Sequence, residues 1–278
     1  MHSKITLPLL AIIWLFFSSL ANAEPLRVFV SIPPVETFVE RVGGKYVDTQ
    51  SMVGTGENPH TYTPSHKQIR DLTKASIYIS AGIPFEDAWM NRIRSANPGM
   101  KVIDTTDIHD KTEHDKTEHD IHTWTNPLQA KLIAHKIRDA LISIDPSNKQ
   151  IYLHNYKVFA AELDLLNQDI IAIFRGKSNR KFMVFHPVWG HFADHYGLTQ
   201  IAIEHEEKDP GARTLVGLIK LAKDEGIRVI FIQPQLNRKF AEQIAEAIEG
   251  QVISIDPLSA DYINNLYTVA QQLSEAMR

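Results

Sequence analysis

The segment that most constrains the fold is residues 181–198, KFMVFHPVWGHFADHYGL, in which a short apolar run leads through a histidine into a helix-like sequence. The run from Phe182 to Phe185 is too short for a buried helix but is typical of a strand inside a parallel sheet, and Pro187 ends it. Open α/β sheets bind ligands beyond the carboxyl ends of their strands. His186 therefore stands where an imidazole can bind a metal ion, although a single histidine at a strand end is more often structural.

Strand-like and helix-like segments alternate along the rest of the chain, which predicts parallel sheets. The predicted strands are residues 26–32, 46–53, 76–80, 101–104, 182–185, 199–203, 228–232 and 251–255. In the first half, Pro33-Pro34 close the first strand, and helices are predicted at Val35–Val42, directly after Ser65 as a cap, and at Trp89–Ile93. One helical pattern without an internal glycine or proline runs from Pro146 to about Arg175 and is longer than one small lobe needs. We therefore predict an α/β fold of two lobes, residues 24–145 and 177–278, each a parallel sheet flanked by helices. A long helix within residues 146–176 joins them.

The first 23 residues have the pattern of a secretory signal peptide. A basic start at Lys4 is followed by an apolar segment, and the small residues Ala21-Asn22-Ala23 precede Glu24. The apolar segment falls short of the roughly 20 residues that a membrane-spanning helix needs. Because the sequence has no cysteine, a lipid-modified cysteine and disulfides are both excluded. We expect cleavage after about Ala23 and a mature protein that is free in the periplasm, without direct insertion into the membrane.

Composition and motifs exclude several classes of function. The net charge is −4 and no lysine- or arginine-rich run is interleaved with aromatic residues, so nucleic acid is not an expected partner. The sequence has neither a glycine-rich phosphate loop nor a G-x-S-x-G elbow, and the lack of cysteine excludes thiol catalysis. The compositional signal that remains is a total of thirteen histidines.

Three of these histidines recur five residues apart in the repeat HDKTEHDKTEHDIH, at His109, His114 and His119. That spacing places them on no common helical face, and the two HDKTE repeats at residues 109–118 have no apolar residue that could pack them. We predict a histidine-rich loop at residues 109–121. A solvated charged loop and a weak metal-collecting arm both fit the pattern, because imidazoles beside carboxylates can hold zinc transiently.

Four potential metal ligands occupy equivalent positions, at or just after a strand or in a strand-to-helix loop. They are His60, His122, His186 and Asp256. Two come from each predicted lobe, so a metal site built from them would lie in the cleft between the lobes. Three imidazoles and a carboxylate suit Zn²⁺ in tetrahedral geometry. Manganese prefers a ligand set that is richer in carboxylates.

Seven motifs carry a resemblance to a known family. They are SIPP (31–34), FVERVGG (38–44), NPHTYTPS (58–65), HTW (122–124), FHPVWG (185–190), IFIQPQ (230–235) and IDPL (255–258). On these motifs the mature chain resembles the zinc- and manganese-binding solute-binding proteins of ABC transporters, the ZnuA/TroA-like family. The resemblance implies that His60, His122 and His186 bind the metal and that Asp256 can be a fourth ligand. Family members that look like manganese carriers have a carboxylate at the position of His186, so histidine there favours Zn²⁺ over Mn²⁺.

Two alternatives to Asp256 leave the fourth ligand open. Glu57 lies three residues before His60 and could replace Asp256, and a water molecule could do the same. As a separate departure from the pattern of the family, Gln233 stands where a glutamate is frequent. The sequence therefore predicts three histidine ligands and one position with alternatives.

Other polar residues near the predicted site have simpler interpretations. His191 and His195 lie four apart on one helical face, and we interpret them as a solvated or structural pair, since the metalloprotease glutamate is absent. The run EHEE at residues 204–207 fits surface charge. Within it, Glu206 is the alternative candidate for an acceptor that orients a ligand histidine.

The resemblance implies a periplasmic zinc-binding protein without enzymatic activity, which captures Zn²⁺ and delivers it to the permease of an ABC importer. We expect a monomer whose partners are the metal ion and the membrane permease. A manganese or broad divalent-metal carrier of the same family is the first alternative. A secreted zinc hydrolase, with three protein ligands and an activated water, and an adhesin are the others.

Overall fold

The structure, a computed structural model, describes residues 24–106, 120–204 and 210–277. The predicted signal peptide and the HDKTE repeats of residues 109–118 lie outside these ranges, so both stay predictions. Within the ranges, parallel strands and helices alternate along the chain, as the sequence predicts. None of the helices described there combines the length and the apolar character that crossing a bilayer requires.

The first sheet is parallel and has the strand order β2-β1-β3-β4. Its strands are β1 (Leu26–Val30), β2 (Val47–Ser51), β3 (Ile77–Ser80) and β4 (Lys101–Asp104). The helices that flank it are α1 (Pro33–Gly43), α2 (His66–Leu72) and α3 (Pro84–Ala96). The central strands β1 and β3 are the most buried, because helices cover both faces of a parallel sheet, and this explains their nearly continuous apolar sequences.

Two helices connect this sheet to the second one. They are α4 (Pro127–Ile144) and α5 (Lys149–Phe174), separated by a 3-10 turn at Pro146–Asn148. Helix α5 has 26 residues, which corresponds to about 39 Å at 1.5 Å per residue, and it packs along both α4 and α1. Its buried face repeats at three- and four-residue steps and consists of Tyr152, Phe159, Ala160, Leu163, Leu166, Ile170 and Phe174. The predicted long connecting helix is therefore confirmed.

The second sheet repeats the topology of the first, with the strand order β6-β5-β7-β8. Its strands are β5 (Lys181–Val184), β6 (Thr199–Ala202), β7 (Val229–Ile232) and β8 (Gln251–Ser254). The helices that follow its strands are α6 (Gly190–His195), α7 (Ala212–Asp224), α8 (Lys239–Ala247) and α9 (Tyr262–Ala276). The α/β fold of two parallel sheets is confirmed, while the lobe boundaries at residues 145 and 177 remain a prediction.

One hydrophobic core extends from the first sheet through α5 to α9 and one face of the second sheet. Phe38 of α1 illustrates the continuity, since its ring centroid lies 5.6 Å from that of Phe159 in α5 and 4.7 Å from that of Tyr262 in α9. A smaller core lies on the other face of the second sheet, under α7 and α8. Because the main core crosses from lobe to lobe, wide separation of the lobes would expose it to water. This supports the limited hinge motion that the length of α5 predicts.

The predictions differ from the structure mainly at helix starts. Pro33 and Pro34 form the first turn of α1, and Pro84 begins α3 five residues before the predicted start at Trp89. Proline fits the first helical turn because the N–H that it lacks would have no partner within the helix there. The predicted cap of α2 is present: Ser65 accepts from the backbone of Gln68 in a capping box.

Candidate metal centre

Three histidines from distant parts of the chain meet between the two sheets. The candidate ligand atoms of His60, His122 and His186 all lie within 4.8 Å of one another. The ring centroid of His186 is 4.8 Å from that of His60 and 5.8 Å from that of His122, and both pairs meet edge to face. In the described part of the chain, these histidines form the cluster of ligand-type residues that is compact enough to share one metal ion.

His60 lies in the loop between β2 and α2, and polar residues of the loop fix its shape. The side-chain oxygen of Asn58 accepts a hydrogen bond of 2.9 Å from the backbone N–H of His60. The carboxylate of Glu57 accepts a hydrogen bond of 2.7 Å from the backbone N–H of Gly54. The cap at Ser65 then anchors the far end of the loop to α2. His60 is therefore presented by an ordered turn of the chain.

His122 is oriented by a carboxylate two residues before it. Oδ1 of Asp120 lies 2.5 Å from Nδ1 of His122 and also accepts a hydrogen bond of 3.0 Å from the His122 backbone N–H. The side chains of His122 and Asp120 are only 12% and 14% exposed. Burial alone would raise the pKa of Asp120, but the hydrogen bonds and charge of His122 outweigh it and lower that pKa. Asp120 is therefore an ionised partner for the ring.

His186 is oriented by a carboxylate from the neighbouring strand. Strand β5 pairs with β6 in a register that matches Val184 with Ala202, so His186 and Glu204 stand in step two residues further on. Nδ1 of His186 lies 3.1 Å from Oε2 of Glu204, and the two side chains are 10% and 11% exposed. The other ring nitrogen of His186, Nε2, is buried and has no hydrogen-bond partner in the described protein.

Both carboxylates set the chemistry of their histidines. An imidazole that donates its Nδ1 proton to a carboxylate holds its lone pair on Nε2, which is the state that binds a metal ion. At His186 this leaves a buried, unpartnered acceptor atom, which is costly unless a cation or a donor fills the position. The donor set thus fits a borderline-soft divalent cation such as Zn²⁺.

A cavity of about 280 Å³ surrounds the triad, and both halves of the chain line it. Apolar side chains form much of its wall, including Ile83, Trp124 and Leu258. Apart from the histidines and Glu204, the polar lining residues are uncharged: Thr61 carries a hydroxyl, and Asn58, Gln233, Gln235 and Asn237 carry amides. A partly apolar wall lowers the local dielectric constant and strengthens the attraction between a cation and its ligands.

Asp256 and Glu57 lie outside the histidine cluster. Phe231 of β7 pairs with Ile253 of β8. Two residues further along, Ile255 therefore stands level with Gln233 at the carboxyl edge of the sheet, and Asp256 lies one residue beyond that row. Oδ1 of Asp256 accepts hydrogen bonds from Nε2 of Gln235 at 3.0 Å and from the backbone N–H of Leu258 at 2.9 Å. Asp256 as a ligand remains a prediction, and in this conformation coordination through Oδ1 would compete with those bonds.

The neighbouring histidines of α6 have structural partners. Nε2 of His191 lies 2.7 Å from the backbone oxygen of Asp120, and His191 is buried. His191 therefore ties the second lobe to the residue that orients His122. Nε2 of His195 lies 2.8 Å from the side-chain oxygen of Asn167, and burial lowers the pKa of His195. The interpretation of these two histidines as a structural pair agrees with these contacts.

Asp120 and Glu204 are the residues of the site that sequence reasoning does not single out. Asp120 falls inside the predicted loop of residues 109–121. Glu204 falls in the charged run EHEE, whose sequence fits surface charge, with Glu206 as the alternative acceptor; Glu206 itself lies outside the described residues. The signal that could have found Glu204 is its position, because it follows its strand in the same way as His186 follows β5.

The chain matches the family described as "Zinc-uptake complex component A periplasmic" over residues 28–276. It belongs to this family. The resemblance stated from the sequence motifs is thereby confirmed. Membership places the chain among solute-binding proteins for zinc uptake, which are not enzymes, and the zinc hydrolase alternative is dropped.

Solved structures and a curated relative support the assignment. A crystal structure of ZnuA is 38% identical, has a TM-score of 0.87, and covers 91% of this chain and 100% of that one. A deletion mutant of ZnuA with zinc bound is 37% identical, has a TM-score of 0.86, and covers 91% of this chain and 98% of that one. The zinc-binding protein AdcA of Streptococcus pyogenes is 23% identical over 93% of this chain but only 56% of its own length.

Proposed function

We propose that this protein captures Zn²⁺ in the periplasm with His60, His122 and His186 and delivers the ion to the permease of an ABC importer. The observation that carries the proposal is the convergence of three imidazoles, two of them oriented by largely buried carboxylates. Carboxylate–histidine pairs of this kind raise the basicity of the ligand nitrogen and fix the orientation of the ring. The family and the zinc-bound relative support zinc as the cargo.

The spacing of the triad suits a small tetrahedral ion after a modest contraction. Zinc–nitrogen bonds of about 2.0–2.1 Å at tetrahedral angles place the ligand nitrogens roughly 3.3 Å apart. The ligand atoms here lie within 4.8 Å of one another, so closure by up to about 1.5 Å brings them into range. A motion of this size fits two lobes that share one core.

Delivery requires a site that binds tightly and still releases its ion. The ligands come from both halves of the chain, so a permease that displaces one half by a small distance breaks the coordination without unfolding either lobe. In this proposal the signal peptide directs export, and cleavage after about Ala23 frees the mature protein.

The fourth position has two main candidates, Asp256, which the sequence predicts, and a water molecule; the cluster of ligand atoms in the structure consists of the three histidines. Glu57 is the weaker candidate, because its carboxylate accepts a hydrogen bond from the backbone of its own loop. Manganese is a less suitable cargo than zinc, because three imidazoles form a softer ligand set than Mn²⁺ prefers.

Isothermal titration of the metal-stripped protein with Zn²⁺ and with Mn²⁺ tests the proposal. We expect tight zinc binding at one site, weaker manganese binding, and severe loss of zinc affinity in His186→Ala. His154→Ala is the matched control, because His154 is an exposed histidine on α5. Full zinc affinity in His186→Ala would defeat the proposal, and deletion of residues 109–118 would measure any contribution of the repeats.

A further inference from the structure

Gln233 is a buried amide in the wall of the metal cavity, and in the part of the chain that the structure describes its side-chain oxygen has no hydrogen-bond partner. The residue is 7% exposed, and Oε1 is fully buried without a hydrogen-bond donor among the described residues. Gln233 directly follows β7 and lines the same cavity as the three histidines. A buried acceptor without a donor is costly, so this oxygen faces a place where a donor is expected.

The pairing of the second sheet places Gln233 beside His186. Val184 of β5 is paired with Ala202 of β6 on one side and with Phe231 of β7 on the other. The ladder continues past the strand ends, because the backbone N–H of Phe185 donates to the carbonyl of Phe231 at 2.8 Å. Two residues beyond the paired positions, Glu204, His186 and Gln233 therefore stand in a row at the carboxyl edge of the sheet. Residues in step on neighbouring strands share one face.

The two neighbours of His186 have different chemistry. Glu204 accepts from Nδ1 of His186 and orients the ring. Gln233 carries no charge, and its Oε1 accepts no hydrogen bond from the described residues, so its buried oxygen is an acceptor for something else on the same face. The amide of Gln235, the nearest amide along the chain, donates to Asp256 instead.

We propose that Oε1 of Gln233 accepts a hydrogen bond from a water molecule that completes the coordination of the metal ion held by the three histidines. The inference rests on the proposed function. Zinc with three protein ligands keeps a fourth position for water, and a cation-bound water is a strong hydrogen-bond donor. The cavity of about 280 Å³ has room for that water beside the ion. Gln233 is thus a positioning residue that acts on the ion through water.

A neutral acceptor at this position has a functional consequence. A carboxylate there would add a negative charge next to the cation and strengthen its retention. An amide oxygen orders the water without adding charge, so it supports binding and leaves the ion easier to release. Gln233 would in this way help to set the affinity of a carrier that must give up its cargo.

The test compares wild type with Gln233→Met, which keeps the size of the side chain and removes the acceptor. Zinc affinity is measured by competition with a chromophoric chelator. Azide affinity is measured on the Co²⁺-loaded proteins from their visible absorption bands, because azide replaces a metal-bound water. Gln129→Met is the matched control: Oε1 of Gln129 is also buried and has no hydrogen-bond partner within the described ranges, but Gln129 does not line the cavity.

We expect Gln233→Met to bind zinc about three- to tenfold more weakly and azide more tightly by a similar factor, since the water loses one hydrogen bond. Gln129→Met should match wild type in both measurements. A purely structural role for Gln233 would lower the melting temperature without changing azide affinity, and that result would overturn the inference.

Two further outcomes separate this inference from its alternatives. If azide does not change the spectrum of wild-type Co²⁺ protein, a protein group such as Asp256 fills the fourth position and the inference is wrong, while the zinc function stands. If wild type does not bind zinc at all, the proposed function itself fails.

Discussion

Two carboxylate–histidine pairs, one in each half of the molecule, orient metal ligands by different means. Asp120 is a local partner of His122, two residues away, and contacts both its ring and its backbone N–H. Glu204 is a long-range partner of His186, and the pairing of β5 with β6 brings the two together. The first pair depends on a short turn of chain, whereas the second depends on the register of a sheet.

The two pairs have the same chemistry, but different numbers of contacts hold their carboxylates in place. Asp120 makes two hydrogen bonds to one residue, and His191 of α6 holds its backbone oxygen. Glu204 makes one ring contact at a longer distance, but its backbone N–H donates to the carbonyl of Phe185 within the sheet. Loss of the Asp120 carboxylate therefore disturbs the local chain, while loss of the Glu204 carboxylate leaves the sheet in place.

The largest expected effect is the loss of either ligand. His122→Ala and His186→Ala should each lower zinc affinity by more than the roughly 10–100-fold that removal of an outer partner costs. The two losses should be similar, because each imidazole supplies one bond to the ion. Competition titration with a chelator measures both. If His122→Ala kept near-normal affinity while His186→Ala did not, the two pairs would not be equivalent and the comparison would fail.

Removal of the two carboxylate charges should lower zinc affinity to different extents. Asp120→Asn and Glu204→Gln should each lower zinc affinity within roughly 10–100-fold, with Asp120→Asn nearer the upper end. The physical reason is that Asp120 fixes both the ring and the backbone of its histidine. The measurement is the same competition titration, at one fixed pH for wild type and both variants. Equal losses, or a larger loss at Glu204, would contradict the argument from local support.

Glu86 is a buried carboxylate with no histidine partner among the described residues, and it can be compared with Asp120 and Glu204. It accepts from the backbone N–H groups of Ala81 and Gly82, and burial raises its pKa from 4.5 to about 6. The folded state therefore holds the proton more tightly than the unfolded state. Its contribution to stability is complete below about pH 4.5 and is lost as the pH rises through 6.

Between pH 4.5 and 7.5 the unfolding free energy of wild type should decrease, and in Glu86→Gln this decrease should be smaller by roughly 2 kcal/mol. The figure follows from the rise of the Glu86 pKa from 4.5 to about 6, at 1.36 kcal/mol per pKa unit. Urea denaturation at several pH values measures the slope. Asp87→Asn is the control, because Asp87 is the exposed neighbour on the same helix and should leave the slope as it is. An unchanged slope in Glu86→Gln would show that another group dominates this pH range.

The smallest effect is expected at an exposed ion pair between α1 of the first lobe and the connecting helix α5. Arg41 of α1 and Glu162 of α5 lie 2.5 Å apart, with side chains 37% and 36% exposed. Solvent screens such a pair, so Glu162→Gln should lower the free energy of unfolding by less than about 1 kcal/mol. Zinc affinity should not change, because the pair lies outside the cavity lining. A larger loss would mean that the junction of α1 and α5 depends on charge as well as on its apolar core.

Sequence reasoning predicted most of the fold because its signals are local. The apolar runs of β3 and β7 and the buried face of α5 repeat with the periods of a strand and a helix, so they can be recognised without tertiary information. The starts of α1 and α3 were wrong because proline was interpreted as an interruption, although the first turn of a helix accepts it.

The site was only partly predictable from sequence. His60, His122 and His186 were found because each follows or connects predicted strands, and the structure brings these three together. The positions of Glu204 and Gln233 beside His186 depend on the register in which β6 and β7 pair with β5. A single sequence does not specify that register. The same register argument explains why Asp256, one residue out of step, lies apart from the cluster.

Trp124 provides an optical signal for the state of the metal centre. The ring centroid of Trp124 is 5.3 Å from that of His122, and its Nε1–H donates to the carbonyl of Pro257 at 2.8 Å. The backbone carbonyl of Trp124 accepts a hydrogen bond from the hydroxyl of Tyr262. An indole that touches a ligand on one side and the opposite lobe on the other senses both ion capture and lobe movement. We therefore expect its fluorescence to change on zinc binding and release. A Trp124→Phe variant that lost this change would identify the emitting residue, and loading and discharge could then be timed without an added dye.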